Sequence, residues 1–120
     1  EDNQFDWVFS NAVIEHVGDD EAQLFFINEM LRVAKNVFFT TPNKYFPLES
    51  HTNIFFLHWN NSIFYQWGKK NTTWVTKDNL YLFSGKRLEK LMGLSNAKHF
   101  EIFRNRLFLL VMTYTVICKK

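Results

Sequence analysis

Glutamate closely precedes histidine twice in this 120-residue sequence, as the adjacent pair Glu15-His16 and as Glu49 two residues before His51, with His58-Trp59 soon after. An imidazole with an unperturbed pKa of about 6.5 accepts protons near neutrality, so His51 and His16 are candidate bases for a hydroxyl or amine acceptor. Glu15, Asn43, Glu49, His58 and Trp59 are the accompanying candidates for substrate contact. A carboxylate beside an imidazole could equally bind substrate, move a proton, join a metal site or simply shape its loop. Rings surround these groups: Tyr45, Phe46, Phe55, Phe56, Phe64, Tyr65 and Trp67 could wall an apolar pocket or pack the loop onto the rest of the molecule.

The elements that must position these groups can be read from pattern. Residues 5–10, mostly apolar, predict a short buried strand, and a loop through Gly18 follows. Asp19 is placed to cap a helix whose first turn carries Asp20 and Glu21, where negative charge complements the helix dipole. Leu24, Ile27, Leu31 and Ala34 fall on one helical face, widened by Phe26, Met30 and Val33; Gln23, Asn28, Glu29 and Arg32 are expected to face water. Asn36 suits a left-handed helix end, and residues 37–40 predict a second buried strand stopped by Pro42. Strand, helix and strand with short connections imply a parallel pair joined by a crossover helix.

Residues 43–59 have no clear period and predict a long loop at the carboxyl end of the second strand, carrying Glu49, His51 and His58. A short aromatic helix over 62–67 and a polar stretch to Asp78 come next. Ser84 is placed to cap a helix through Leu88, Leu91 and Met92, closed by Gly93 with Leu94 in a Schellman ending. Residues 100–104 and the apolar run 107–118 predict an antiparallel hairpin turned at Asn105-Arg106. The fold class is therefore α/β, in one domain spanning residues 1–120.

Composition narrows the function. Fourteen basic against twelve acidic residues, scattered along the chain, leave no footprint for nucleic acid. The longest apolar run is about a dozen residues where a membrane span needs roughly twenty, so no span is expected. A lone Cys118 makes no internal disulfide and the first residues lack the order of a secretory signal, which points to a reducing, cytoplasmic setting. The opening strand, with only four polar residues before it, leaves an exposed edge able to pair with another copy in a homodimer.

Three blocks carry a family resemblance. Phe5-Asp6-Trp7-Val8-Phe9-Ser10-Asn11-Ala12-Val13-Ile14-Glu15-His16-Val17 resembles the fourth strand and following loop of class I S-adenosylmethionine-dependent methyltransferases of the type 11 kind, often written FDxVxxxxxxEHV. Glu29-Met30-Leu31-Arg32-Val33-Ala34-Lys35 is similar to the E(L/M)xRVxK before the family's fifth strand, and residues 41–52 with Leu57-His58-Trp59 resemble a subgroup having TPNxxxPxExHT and a later HW. The blocks come in order and cover about half the chain. The resemblance implies the C-terminal part of a Rossmann-like methyltransferase sheet, parallel strands closed by an antiparallel hairpin. It implies S-adenosylmethionine as cofactor of the intact protein and a small-molecule or surface-accessible methyl acceptor.

Ligands of open parallel sheets sit beyond the carboxyl ends of strands, so Ser10, Asn11 and Ala12 are the expected cofactor contacts. The departures matter too. The family's glycine-rich turn and the acidic residue for the ribose hydroxyls are missing, and Gly18, Gly68, Gly85 and Gly93 are too dispersed to replace the turn. This chain alone is expected to bind cofactor poorly and to be inactive, and an idle or self-associating remnant is the alternative. In some small-RNA methyltransferases of this fold an ExxEH pattern with a later histidine holds a divalent ion. Here Ala12 stands at the first position, so no metal is expected.

Overall fold

The computed structural model describes residues 1–120. Strand β1 (Phe5–Asn11) leads through a single 3-10 turn (Ile14–His16) into helix α1 (Asp20–Val33), which returns the chain to strand β2 (Ala34–Pro42). A two-residue-stranded hairpin, β3 (Leu48–Glu49) and β4 (Ile54–Phe55), and a second 3-10 turn (Leu57–Trp59) fill what the sequence predicts as loop. Helices α2 (Asn61–Asn71) and α3 (Gly85–Leu94) follow, and the chain closes with β5 (His99–Leu107) and β6 (Leu110–Lys119).

The main sheet has the order β1-β2-β6-β5. β1 and β2 run parallel, joined by α1, as the strand-helix-strand spacing requires. β6 runs antiparallel to both of its neighbours and lies between β2 and β5. Alternation sets the facing: Val37, Phe39 and Thr41 of β2 register with Cys118, Val116 and Tyr114 of β6, and all six are buried on one face. Against that face pack Ile27, Met30 and Leu31 of α1 and Leu88, Leu91 and Met92 of α3, closing a single core with Ile14. A smaller cluster of Phe64, Val75, Leu80 and Leu82 seats α2.

The opposite face carries no helix. Phe9 and Phe38 stack there with ring centroids 5.2 Å apart, and Phe9 remains 68% exposed beside the half-exposed Phe5 and Trp7.

The Asp19 cap forms, its carboxylate accepting from the Ala22 amide at 3.1 Å, and so does the Ser84 cap, with Oγ accepting from the Arg87 amide at 3.2 Å. Four expectations change. Gln23 is fully buried, not solvent-facing, because two backbone carbonyls under the sheet rim need its amide. Asn36 does not end α1: the chain turns directly into extended backbone at Ala34 (φ −133°, ψ 155°), and Asn36 lies in β2, donating to the Asp6 carbonyl. Gly93 stays inside α3, which ends one residue later at Leu94, where Ser95 is extended and its amide and hydroxyl satisfy the Met92 carbonyl. The hairpin does not turn at Asn105-Arg106. That pair is a register irregularity within β5, with Asn105 Nδ2 donating across the ladder to Thr113 and Thr115, and the turn is Phe108-Leu109.

Candidate active site

The carboxyl ends of β1 and β2 are laced together before any candidate residue is reached. Thr40 Oγ1 donates to Asn11 Oδ1 at 2.5 Å, and the Ala12 amide donates to the Thr40 carbonyl at 3.1 Å. Ala12 takes a left-handed backbone (φ 51°), the bend that lifts the chain out of the sheet and into the turn carrying Glu15 and His16. Ser10, just below, is buried with its hydroxyl unpartnered.

A cavity of about 460 Å³ opens between these strand ends and the β5-β6 hairpin. Asn11 and Ala12 form one side, the residues from Thr40 to Asn43 its floor, and Leu107, Met112 and Thr113 the hairpin side. Phe46, Leu48, Glu49 and His58 complete it from the inserted segment. The peptide after β1 and the segment beyond Thr41 thus share the rim of one cleft, at the end of the sheet where ligands of this topology collect.

The predicted residues divide by place. Asn11, Ala12, Asn43, Glu49 and His58 line the cavity; Ser10, Glu15, His16, His51 and Trp59 do not. Asn43 is held at both ends, its Nδ2 donating to the Val111 carbonyl at 2.7 Å and its Oδ1 accepting from Tyr114 Oη at 3.0 Å, which ties the floor to β6. Trp59 is partly exposed, edge-on to Phe56 and Tyr45, with its indole Nε1 donating to the Phe46 carbonyl at 3.3 Å.

His58 is almost completely buried, and its Nε2 lies 2.8 Å from the Phe46 carbonyl. A carbonyl only accepts, so Nε2 carries the proton and Nδ1, which has no partner, keeps its lone pair. Burial lowers the His58 pKa below its usual value and keeps the ring neutral.

Glu49 is the centre of the β3-β4 turn. Its carboxylate accepts from the His51 amide (3.0 Å) and His51 Nδ1 (2.5 Å) on one oxygen, and from the Thr52 amide (2.7 Å) and Thr52 Oγ1 (2.6 Å) on the other. Burial alone would push this carboxyl up, but the hydrogen bonds from His51 and Thr52 outweigh it and hold it at about 2. The same bond to Glu49, against the cost of burial, raises the pKa of His51.

Glu15 is fully buried, and burial raises its pKa. One oxygen accepts from Thr41 Oγ1 at 3.1 Å; the other, Oε1, has no hydrogen-bond partner and lies 3.9 Å from Nε2 of both His16 and His51. Residues 15 and 51, which precede and follow β2 in the chain, are thus brought together, as the sequence could not show.

Sequence reasoning missed Thr40, Thr41, Asn79 and Tyr81. The two threonines had a signal, since hydroxyls at the end of a strand face whatever lies beyond it. Asn79 and Tyr81 had none, because they act through the backbone: the Asn79 carbonyl sits 2.8 Å from His16 Nδ1 and the Tyr81 amide donates to the Glu15 carbonyl at 2.7 Å.

No family model matches the sequence, and no curated protein matches it either. Solved structures do match. Over its whole length the chain superposes on a SAM-dependent methyltransferase from Methanosarcina mazei with a TM-score of 0.62 at 16% identity, covering 61% of that chain. The fold is similar to that of the C-terminal part of a SAM-dependent methyltransferase. The chain also superposes, again over its whole length, on a protein from Bordetella parapertussis described as a possible exported protein, with a TM-score of 0.61 at 12% identity and 40% of that chain covered. It spans less than two thirds of either structure. No helix is long and apolar enough to cross a membrane.

Proposed function

We propose that the intact protein transfers a methyl group from S-adenosylmethionine to a nucleophilic acceptor seated in the cavity, and that residues 1–120 supply the acceptor side of the cleft. The observation that carries this reading is the shared rim: Asn11 and Ala12 at the end of β1 face the same cavity as Thr40, Thr41 and Asn43 at the end of β2. The likeness to a methyltransferase supports it.

When bound, the cofactor supplies an electrophilic sulfonium methyl, and transfer then asks of the protein mainly alignment and a deprotonated acceptor. The residues present fit one wall of that cofactor. Asn11 and Ala12 are at the expected strand end, but none of the four glycines closes a strand of the sheet, since Gly18 precedes α1 and the others lie in α2 and α3. The rest of the grip comes from chain outside these residues.

On the acceptor side, Asn43 and Glu49 orient polar groups while Phe46, Leu48, Leu107 and Met112 exclude water. His58 lines the cavity with a neutral ring whose Nδ1 is unpartnered and buried, so it takes a proton from a hydroxyl or amine only where the acceptor displaces the packing over that nitrogen. His51 and His16 stand behind the Glu49 wall, His51 bonded to Glu49 and the two rings in contact with each other.

The test is titration of the full-length protein with S-adenosylhomocysteine, followed by amide chemical shifts. Binding that perturbs Asn11, Ala12 and Thr40 is expected; saturable binding that leaves all three unmoved would refute the placement, and no binding at all would refute the cofactor.

The open edge of β1, with Phe5, Trp7 and Phe9 exposed, favours a second reading in which this surface joins another copy of the chain. Sedimentation equilibrium decides it: a monomer at tens of micromolar excludes the self-association module.

A further inference from the structure

Behind the cavity wall, three donor atoms from two distant segments converge without a proton donor to satisfy them. His16 Nε2 and His51 Nε2 are 3.0 Å apart, and Glu15 Oε1 lies 3.9 Å from each. The other nitrogen of each ring fixes what these atoms are. His16 Nδ1 faces the Asn79 carbonyl at 2.8 Å, which only accepts, so the proton of His16 sits on Nδ1. His51 Nδ1 faces Glu49, a carboxylate already receiving the His51 amide, the Thr52 amide and the Thr52 hydroxyl, so the proton of His51 sits on Nδ1 as well. With one proton on each ring, held at Nδ1, both Nε2 atoms present lone pairs to one another and to a buried carboxylate oxygen that has no partner of its own.

Such a convergence repels itself unless a cation occupies it. A shared proton would join the two nitrogens and still leave Glu15 Oε1 unsatisfied in a fully buried position. A metal ion satisfies all three. With metal–nitrogen bonds of about 2.1 Å, two imidazole nitrogens stand about 3.0 Å apart at a right angle and about 3.4 Å apart at the tetrahedral angle, so the 3.0 Å spacing found here fits the first directly and the second after opening by about 0.4 Å. Glu15 Oε1 has to close by about 1 Å to complete the set, a movement within reach of a side chain held only through its other oxygen by Thr41.

We propose that Glu15, His16 and His51 form a binding site for one divalent first-row transition ion of the zinc or iron type, behind the Glu49 wall of the cavity. The set is two imidazoles and one carboxylate, which favours such ions over magnesium or calcium. The supporting contacts are those that metal-bound histidines use: the Asn79 carbonyl behind His16 and the Glu49 carboxylate behind His51 hold ring orientation and tautomer. Glu49 is thus a positioning residue for the ion as well as a wall of the cavity. His16 stays partly exposed, so the remaining coordination positions can open toward solvent or an acceptor oxygen. The site stands whether or not the protein transfers methyl groups.

The test uses the chain stripped of metal with a chelator and titrated with Co²⁺, read by its visible d–d absorption, with Zn²⁺ and Mg²⁺ as competitors. One Co²⁺ per chain is expected, displaced by stoichiometric Zn²⁺ and retained in millimolar Mg²⁺. His51→Ala or His16→Ala is expected to weaken binding by about 100-fold or more, Glu49→Gln by about 10-fold, and His99→Ala not at all. Because loop variants could lose their fold, the wild-type chain provides a second readout: Zn²⁺ shifts the ¹⁵N resonances of His16 and His51 Nε2 and leaves those of His58 and His99 in place. Absence of saturable cobalt absorption, or zinc-induced shifts confined to His58 or His99, overturns the proposal.

Discussion

Gln23→Leu probes the joint between the α1 layer and the cleft. The Gln23 side chain is fully buried and its Nε2 donates to the Ile14 and Tyr81 carbonyls, each at 3.1 Å, while its Oε1 accepts from Arg87. Leucine keeps the volume and removes all three bonds. The Ile14 carbonyl retains a weak bond from the Val17 amide at 3.4 Å, and Arg87 retains Asp20 at 2.9 Å. The Tyr81 carbonyl is left bare.

Losing the two neutral bonds costs about 1 kcal/mol each and stranding one buried carbonyl a further 1–3 kcal/mol, against roughly 1 kcal/mol returned by the more apolar side chain, with the Arg87 bond left out of the sum because Arg87 keeps Asp20 and the Leu82 carbonyl. The net loss is about 2–4 kcal/mol. Equilibrium urea unfolding measures it, and amide exchange gives a local reading: the Tyr81 amide, bonded to the Glu15 carbonyl at 2.7 Å, is expected to exchange faster than amides of β6. A loss below about 1 kcal/mol, or unchanged Tyr81 protection relative to β6, would show that the Gln23 bonds do not hold the Glu15 turn in place.

Three further outcomes follow from individual contacts. Gly68→Ala places a Cβ 2.6 Å from the Val75 carbonyl oxygen and 2.7 Å from Val75 Cβ, so despite better helix propensity the thermal midpoint is expected to fall, by an amount equivalent to about 1–3 kcal/mol. Phe108→Gly relieves a left-handed residue (φ 54°) at the first position of a two-residue hairpin turn and is expected to raise stability by about 0.5–1 kcal/mol in the same assay. The Glu49 carboxyl, held at about 2 against an ordinary 4.5, is more acidic folded than unfolded. Its contribution, roughly 3 kcal/mol at most, is therefore present above pH 4.5 and lost as pH falls toward 2. Urea unfolding of wild type and Glu49→Gln across that range measures it, and the variant is expected to lose this acid limb.

Wherever apolar period decided a structure, the sequence disclosed it. The β1-α1-β2 crossover, both helix caps and the closing hairpin follow from Ile27 and Leu31 on one helical face, Asp19 and Ser84 before their helices, and alternation in residues 110–119. Facing failed at Gln23, since periodicity sorts residues by polarity and this position is polar because buried carbonyls require it. Turn chemistry failed at Asn105, where hydrogen bonds to two threonines of the neighbouring strand outweigh a turn-forming preference. At the cleft, residue types were legible and neighbours were not. Nothing in spacing pairs residue 16 with 51 or sends Thr41 to Glu15; those contacts arise where β1 and β2 end side by side, the Thr40 and Thr41 hydroxyls both reaching residues 11–15.

The position of β6 has a bearing on how the molecule is made. It is the last of the six strands to leave the ribosome, yet it fills the gap between β2 and β5 and supplies Tyr114, Val116 and Cys118 to the core. Until those residues emerge, β2 holds one strand partner instead of two, and the α1 layer has only half a floor to rest on. Synthesis therefore proceeds through a stage in which a sticky, half-built ribbon waits for its keystone, and a nascent chain stalled before residue 110 is the form most in need of a chaperone.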